Sequence, residues 1–299
     1  MNIRKIFITG ALSIATVCGA MAQEPLVIEP LFEYPVAPEE LESLQAKSDY
    51  LMEHFWDKMN FKDKKAVDQN ALNDAFSVYV APMQWADETK VNESVNKLIA
   101  NISKNPILSP EFVKAAEESL YGPRAYYWND NLFLRFIDKV LHNKSIKKER
   151  KLRYDRLRSQ ISNTLRGTTP PEFDYVRTDG TKAHYHPNGV ITLIEFGDPD
   201  CDDCRMARLK MESNVKFSQL VDKGKLNVLF IYPDPEEGWQ DKLKDYSSKW
   251  HVGASEEVAD LYDLRATPSI YVIDRDGHVA AKNIDIVTAI ELASAAAEQ

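Results

Sequence analysis

Cys201 and Cys204, with Asp202 and Asp203 between them, form a C-x-x-C pair. The continuous apolar run Val190–Phe196 before the pair predicts a buried strand, and a helical pattern opens at about Cys204. A helix N-terminus presents unpaired N–H groups and about half a positive charge, which favours a thiolate. The thiolate is the attacking species in disulfide exchange. With two residues between them, the second cysteine can reach the first within one helical turn. In that chemistry the first, more exposed cysteine attacks a substrate disulfide, and the second resolves the mixed disulfide. The same pair fits two plainer readings. One is half of a zinc site, for which His184 and His186 are the only tempting further ligands. The other is a structural disulfide that closes a small loop. His54, His142, His251 and His278 have no partner at catalytic spacing. There is no G-x-x-x-x-G-K, G-x-S-x-G or H-E-x-x-H, so phosphate-loop, hydrolase and zincin chemistry find no support.

The third cysteine, Cys18, lies in a segment that reads as a cleaved signal peptide over residues 1–22. Arg4 and Lys5 form its positive end, Ile6–Cys18 its apolar stretch, and Ala20-Met21-Ala22 its cleavage site. Val17 is too bulky for the position before a lipoprotein cysteine. No later stretch is long and apolar enough to span a membrane. The expected mature chain therefore starts at Gln23, is exported and soluble, and keeps one cysteine pair. Losing Arg4 and Lys5, with no acid lost, takes the net charge from -9 to -11. Such an acidic chain is a poor general ligand for nucleic acid or anionic lipid.

The 299 residues divide into two patterns that would position the pair. Residues 23–166 read as an all-α domain. Its apolar stripes are Leu41, Leu44, Leu51, Phe55 and Met59; then Leu72, Phe76, Tyr79 and Met83; then Val91, Val95, Leu98 and Ile102. A fourth helix would take Ser109 as N-cap and Pro110 as first residue, and stop at Gly122. A fifth runs near Asn131–Leu141 and a sixth near Ile146–Leu165. From Gly167 to the end the pattern is α/β. A hairpin is expected around Asp179-Gly180, with the type I′ turn that such a dipeptide favours. Leu226–Tyr232 reads as a second buried strand, parallel to the first across a helical crossover. Helical stretches are expected over Glu236–Trp250 and Ser255–Tyr262, a hairpin over Ser269–Ile273 and His278–Ala281, and a last helix over Asp285–Ala297. Nine Lys/Arg against two acids crowd residues 144–166. That run reads first as a solvated helix face, and second as a dock for an acidic partner or for the acidic cysteine motif itself.

The order strand, C-x-x-C, helix, strand, then Thr267-Pro268 opening a hairpin resembles the thioredoxin-like family. It is most similar to the secreted thiol–disulfide oxidoreductases of the cytochrome-c-maturation and TlpA-like group. The motifs that carry this are Ile191–Phe196, Cys201–Cys204 and Tyr262–Asp274, within residues 171–297. More weakly, Tyr34-Pro35, Tyr50-Leu51 and His54-Phe55-Trp56-Asp57 resemble an uncharacterised helical domain found ahead of such thioredoxins in some Gram-negative bacteria. The resemblance implies a thioredoxin-like fold over residues 167–299 and a redox-active disulfide between Cys201, the nucleophile, and Cys204, the resolving thiol. It implies that Pro268 is a cis-proline and that Thr267 offers backbone hydrogen bonds to an extended substrate. Glu195, six residues before Cys201, takes the place of the family's buried acid, which accepts the resolving cysteine's proton.

The motif also departs from thioredoxin. Asp198, Asp200, Asp202 and Asp203 crowd the pair where thioredoxin has an aromatic residue and Gly-Pro. Carboxylates beside a thiol disfavour its thiolate, with Arg205 and Arg208 as partial offsets. Destabilising the reduced form favours a reductant over a strong oxidant. The resulting expectation is a periplasmic reductant of exported protein disulfides. It would be kept reduced by an upstream electron donor, with no metal, no nucleic acid and no cofactor beyond the cysteine pair. The competing expectation is a non-enzymatic binding protein that keeps the scaffold and a structural disulfide.

Overall fold

A computed structural model describes residues 29–63, 67–125, 127–144 and 146–299. The signal-peptide reading and Cys18 lie outside these residues.

Among the described residues, six α-helices build the first half: α1 Leu44–His54, α2 Gln69–Val80, α3 Glu88–Ile102, α4 Leu108–Leu120, α5 Asp130–His142 and α6 Lys148–Asn163. The stripes on α2 and α3 are buried as their periodicity requires, from Leu72 to Met83 and from Val91 to Ile102. Ser43, Asp68, Asp87 and Asn129 each accept a backbone N–H at the start of a helix, which fixes where α1, α2, α3 and α5 begin. An aromatic knot fills the centre. Phe76 packs against Trp56, Tyr79, Phe112 and Phe136, with ring centroids 5.5 to 6.5 Å apart.

Two sequence expectations fail here for local reasons. α1 buries Ser48 and Met52, followed by Phe55 and Trp56, and leaves Leu44 exposed at the helix start. Ser109 is not a cap. It is buried inside α4 and donates to the carbonyls of Ile102 and Asn105, while Asn105 Oδ1 accepts from the N–H groups of Ile107 and Leu108.

The second half is a seven-stranded mixed sheet in the order β2-β1-β5-β4-β3-β6-β7. The strands are β1 Phe173–Arg177, β2 Lys182–Tyr185, β3 Ile191–Phe196, β4 Leu226–Tyr232, β5 His251–Ala254, β6 Ser269–Ile273 and β7 Val279–Lys282. β3 pairs parallel with β4 and antiparallel with β6. α7 Asp202–Ser213, α8 Val215–Asp222 and α11 Ile286–Glu298 cover one face with Ala207, Met211, Phe217, Ile290 and Ala293. Phe173, Tyr175, Tyr185, Val258 and Tyr262 close the other face over Ile194, Phe196 and Tyr271. Of the long helix expected over Glu236–Trp250 only the short α9, Trp239–Lys242, forms, and the unexpected strand β5 follows that stretch. α10, Val258–Leu261, is likewise a single turn. The β1–β2 turn is not type I′, because Gly180 alone takes a positive φ (82°) there and Asp179 does not.

The halves meet along α6 and α10. Arg156 pairs with Asp260, and Gln160 donates to the Ala259 carbonyl at 2.6 Å. Arg153 pairs with Glu117, and Arg158 with Asp138. The basic run of α6 is thus partly spent on this chain's own acids, and these are not the acids of the cysteine motif. The linking peptide pairs with β7: the Gly167 N–H donates to the Val279 carbonyl, and the Val279 N–H to the Thr168 carbonyl, both at 2.8 Å.

Phe76→Ala should cost about 3–5 kcal/mol, since it opens the centre of the aromatic knot. Urea unfolding followed by circular dichroism measures this. A loss below about 1 kcal/mol would mean that the knot closes over the gap.

Candidate functional site

Phe196 is opposite Ser269 in the β3–β6 ladder. This register lays the segment that leaves β3 beside the segment that enters β6. Gly197 and Cys201 follow the first, and Thr267 and Pro268 precede the second. Cys201 is the N-cap of α7, with φ −79° and ψ 128°, and its Sγ accepts the Cys204 N–H at 3.4 Å. Its Sγ lies 4.0 Å from the Thr267 carbonyl oxygen. The Thr267–Pro268 peptide is cis. Cys201 is half-buried, Cys204 is buried, and both are free thiols. Burial, then the contact with Cys201, push the Cys204 thiol well above its ordinary range, and Glu195 adds to the effect. The pair is therefore asymmetric, with one reachable sulfur at a helix N-terminus and one dry sulfur behind it.

Glu195 is fully buried, and among the described residues neither of its oxygens has a hydrogen-bond partner. Burial pushes its carboxyl up from 4.5 to about 8, against the pull of the Arg208 guanidinium. Gly197 explains how an acid and a thiol share so dry a space. A Cβ on Gly197 would lie 3.0 Å from the Phe230 ring, 3.1 Å from Cys204 Sγ and 3.2 Å from Glu195 Oε1. The missing side chain leaves room for both groups to flank one point.

Of the two arginines expected to offset the motif acids, Arg205 does so and Arg208 does not. Asp202 pairs with Arg205 at 2.7 Å, and Asp200 pairs with Lys242 at 2.6 Å. These pairs are exposed, so they add little to the stability of the fold. Arg208 does not offset the surface acids. It turns inward, with its guanidinium 4.7 Å over the Tyr246 ring, which packs 4.6 Å from Phe230. Lys242, Tyr246 and Gly197 were not visible as site residues in the sequence. Gly197 alone carried a signal, as a glycine between a buried strand and the motif.

The histidines needed for a zinc site lie elsewhere. His184 is on β2, with β1, β5 and β4 between it and β3. Both its ring nitrogens are engaged, Nδ1 with Asp174 at 2.7 Å and Nε2 with Glu172 at 3.0 Å. Among the described residues, Asp274, Asp276 and His278 bring ligand atoms within 4.8 Å of one another at the β6–β7 turn. Asp274 Oδ1 already accepts the His278 N–H at 2.8 Å, so turn geometry accounts for that cluster.

Residues 11–164 match the family described as a domain of unknown function, DUF5106, over more than half of the chain. The chain belongs to that family. The DUF5106 match covers the helical half and stops just short of the linking peptide. Among solved structures, a thioredoxin-like protein from Bacteroides caccae ATCC 43185 superposes with a TM-score of 0.73 at 21% identity, covering 89% of this chain and 99% of that one. The likeness is one of fold, and it spans the DUF5106 domain and the thioredoxin-like domain together. A conserved protein of unknown function from Bacteroides fragilis is 30% identical, over 43% of this chain and 98% of its own, with a TM-score of 0.41. The thioredoxin domain of a thiol-disulfide oxidoreductase from Bacteroides vulgatus is 19% identical, over 43% of this chain and 96% of its own, with a TM-score of 0.37. No curated protein matches the chain. Among the described residues no helix is long and apolar enough to cross a membrane.

The raised Glu195 carboxyl makes stability depend on pH. Its native value of about 8 exceeds the ordinary 4.5, so the native form holds a proton that the unfolded chain releases. Its contribution is full below the lower value and is lost as pH rises through the higher one. Glu195→Gln abolishes that loss, and the variant should gain roughly 2–5 kcal/mol on the parent between about pH 5 and about pH 8. Urea midpoints across that range measure the gain. Parallel profiles for the two proteins would show a solvated carboxyl.

Proposed function

We propose that this protein is a thiol–disulfide oxidoreductase that reduces exported protein substrates outside the cytoplasm. The observation that carries the reading is the placement of Cys201. Its sulfur caps α7, faces the Thr267 carbonyl at 4.0 Å, and has the buried Cys204 directly behind it.

The Cys201 thiolate attacks one sulfur of a substrate disulfide. That S–S bond breaks, and the released substrate sulfur takes up a proton. An extended substrate lies along Thr267 and Pro268, where backbone groups can hold it as an added strand. The ionised fraction of Glu195, which a value of about 8 keeps available near neutral pH, then takes the proton of Cys204, and the Cys204 thiolate attacks the Cys201 sulfur. The mixed disulfide breaks, the second substrate sulfur leaves as a thiol, and a Cys201–Cys204 disulfide remains. Two electrons have passed to the substrate. An upstream dithiol donor returns two electrons to reset the pair. A carboxyl with a value near 8 suits this task, because proton transfer is most effective when acid strength and working pH are close. The reducing direction rests on Asp198, Asp200, Asp202 and Asp203 around the thiol, with Arg205 and Lys242 limiting their effect.

Cys201→Ser should abolish reduction of a model protein disulfide, and Cys204→Ser should accumulate mixed disulfides. Glu195→Gln should leave the first attack nearly unchanged and slow resolution by about 10²–10⁴-fold at neutral pH, less so at high pH. Single-turnover kinetics separates the two steps. Full activity in Cys201→Ser, or a pair that stays oxidised at a physiological redox poise, would overturn the reading in favour of a binding protein with a structural disulfide.

A further inference from the structure

The proposed chemistry leaves one buried group of charges unused, and it lies between the two halves. The side chains of Asp263 and Arg265 are 0% and 1% exposed, that of Lys282 8% and that of Asp130 15%. Asp130 pairs with Arg265 and, at 2.8 Å, with Lys282. Asp263 pairs with the same two cations, again at 2.8 Å to Lys282. The Tyr121 hydroxyl donates to Asp263 Oδ1 at 2.8 Å, and Lys282 donates to Thr164 Oγ1 at 3.2 Å. The Arg265 guanidinium lies 4.1 Å over the Tyr121 ring. Asp130, Tyr121 and Thr164 belong to the DUF5106 half; Asp263, Arg265 and Lys282 belong to the thioredoxin-like half.

A buried ion network is poor glue, because desolvation offsets most of its attraction, but its hydrogen bonds are directional. What it directs here is specific. Asp263 and Arg265 precede Thr267 in the segment between α10 and β6, which has no helix or strand of its own. Side-chain anchors hold that segment instead. The Tyr271 hydroxyl donates to the Asp263 carbonyl at 2.8 Å, and Ser269 Oγ to the Ala266 carbonyl at 2.5 Å. Asp130 and Tyr121 supply the anchors from outside the sheet.

We propose that Asp130 and Tyr121 are positioning residues for the Thr267–Pro268 segment, so that the DUF5106 half completes the substrate-binding side of the redox site. The inference rests on the oxidoreductase reading for the meaning of that segment, and on geometry for the anchoring itself.

The test uses the full chain with Asp130→Asn and, separately, Tyr121→Phe, which keeps the ring under Arg265 and removes only the hydroxyl. Backbone amide order parameters are followed by NMR relaxation at Arg265, Ala266 and Thr267 against β3 and β4. Reduction of a model protein disulfide gives kcat and KM, and the potential of the cysteine pair is measured. The expected result is a fall in the segment's order parameters from about 0.85 to below about 0.6 with β3 and β4 unchanged, and a KM raised about tenfold with kcat and potential unchanged. Unchanged order parameters in the segment overturn the proposal, as does an equal fall throughout both halves, which would mark the charges as glue. If Asp130→Asn does not fold, Tyr121→Phe decides alone. A parent protein inactive toward every disulfide offered refutes the oxidoreductase reading, and the relaxation arm still decides the anchoring.

Discussion

The burial of β3 on both faces governs most of what the chain can do. All six of its residues, Ile191–Phe196, are buried, and one of them is Glu195. A carboxyl can stay in such a place only if it keeps its proton or finds a charge, and Arg208 is the charge nearest to hand. The chain leaves the core just past the buried Gly197, so the polar loop with Cys201 begins where solvent begins. Pairing on both sides fixes which neighbours meet it there. β4 sends the route toward Lys242 and Tyr246, and β6 brings Thr267 and Pro268. The redox pair is thus a consequence of sheet register as much as of the motif.

The helical half obeys a different physics. Among the described residues its aromatic interior encloses no carboxylate or cationic side chain; apart from Asp130 its ion pairs lie outward, where α6 turns its arginines toward acids of both halves. It meets the sheet through ions and hydrogen bonds. Such a junction fixes orientation more firmly than it adds stability. The similarity of fold to the Bacteroides caccae protein runs across that junction, so the joined arrangement is common to both chains.

Much of this was legible in the sequence because periodicity is a local signal. The strand–motif–helix unit, the buried β4, the β6–β7 hairpin and the stripes on α2 and α3 all follow from it. What was missed depends on partners far along the chain. β5 has few apolar residues to announce it, and it forms because β4 on one side and β1 on the other offer unpaired backbone groups. Ser109 is the local exception, since Asn105, four residues earlier, accepts the N–H groups of Ile107 and Leu108 in its place. Arg208 reads as a surface cation until Tyr246, distant in sequence, provides a ring for it to lie on. Asp130 and Asp263 carry no signal at all, since an acid is equally at home on a helix start or a loop, and only the fold shows which are enclosed.

The linking peptide has a second role that follows from where it lies. β7 is the last strand of the sheet, and an outermost strand offers unpaired backbone groups to any passing chain. Gly167 and Thr168 occupy two of those groups on Val279. The tether is therefore also a guard against edge-to-edge aggregation. A protease that cut there and let the halves drift apart would free a sheet with a sticky border, so separating the two parts carries a solubility penalty that neither part alone would reveal.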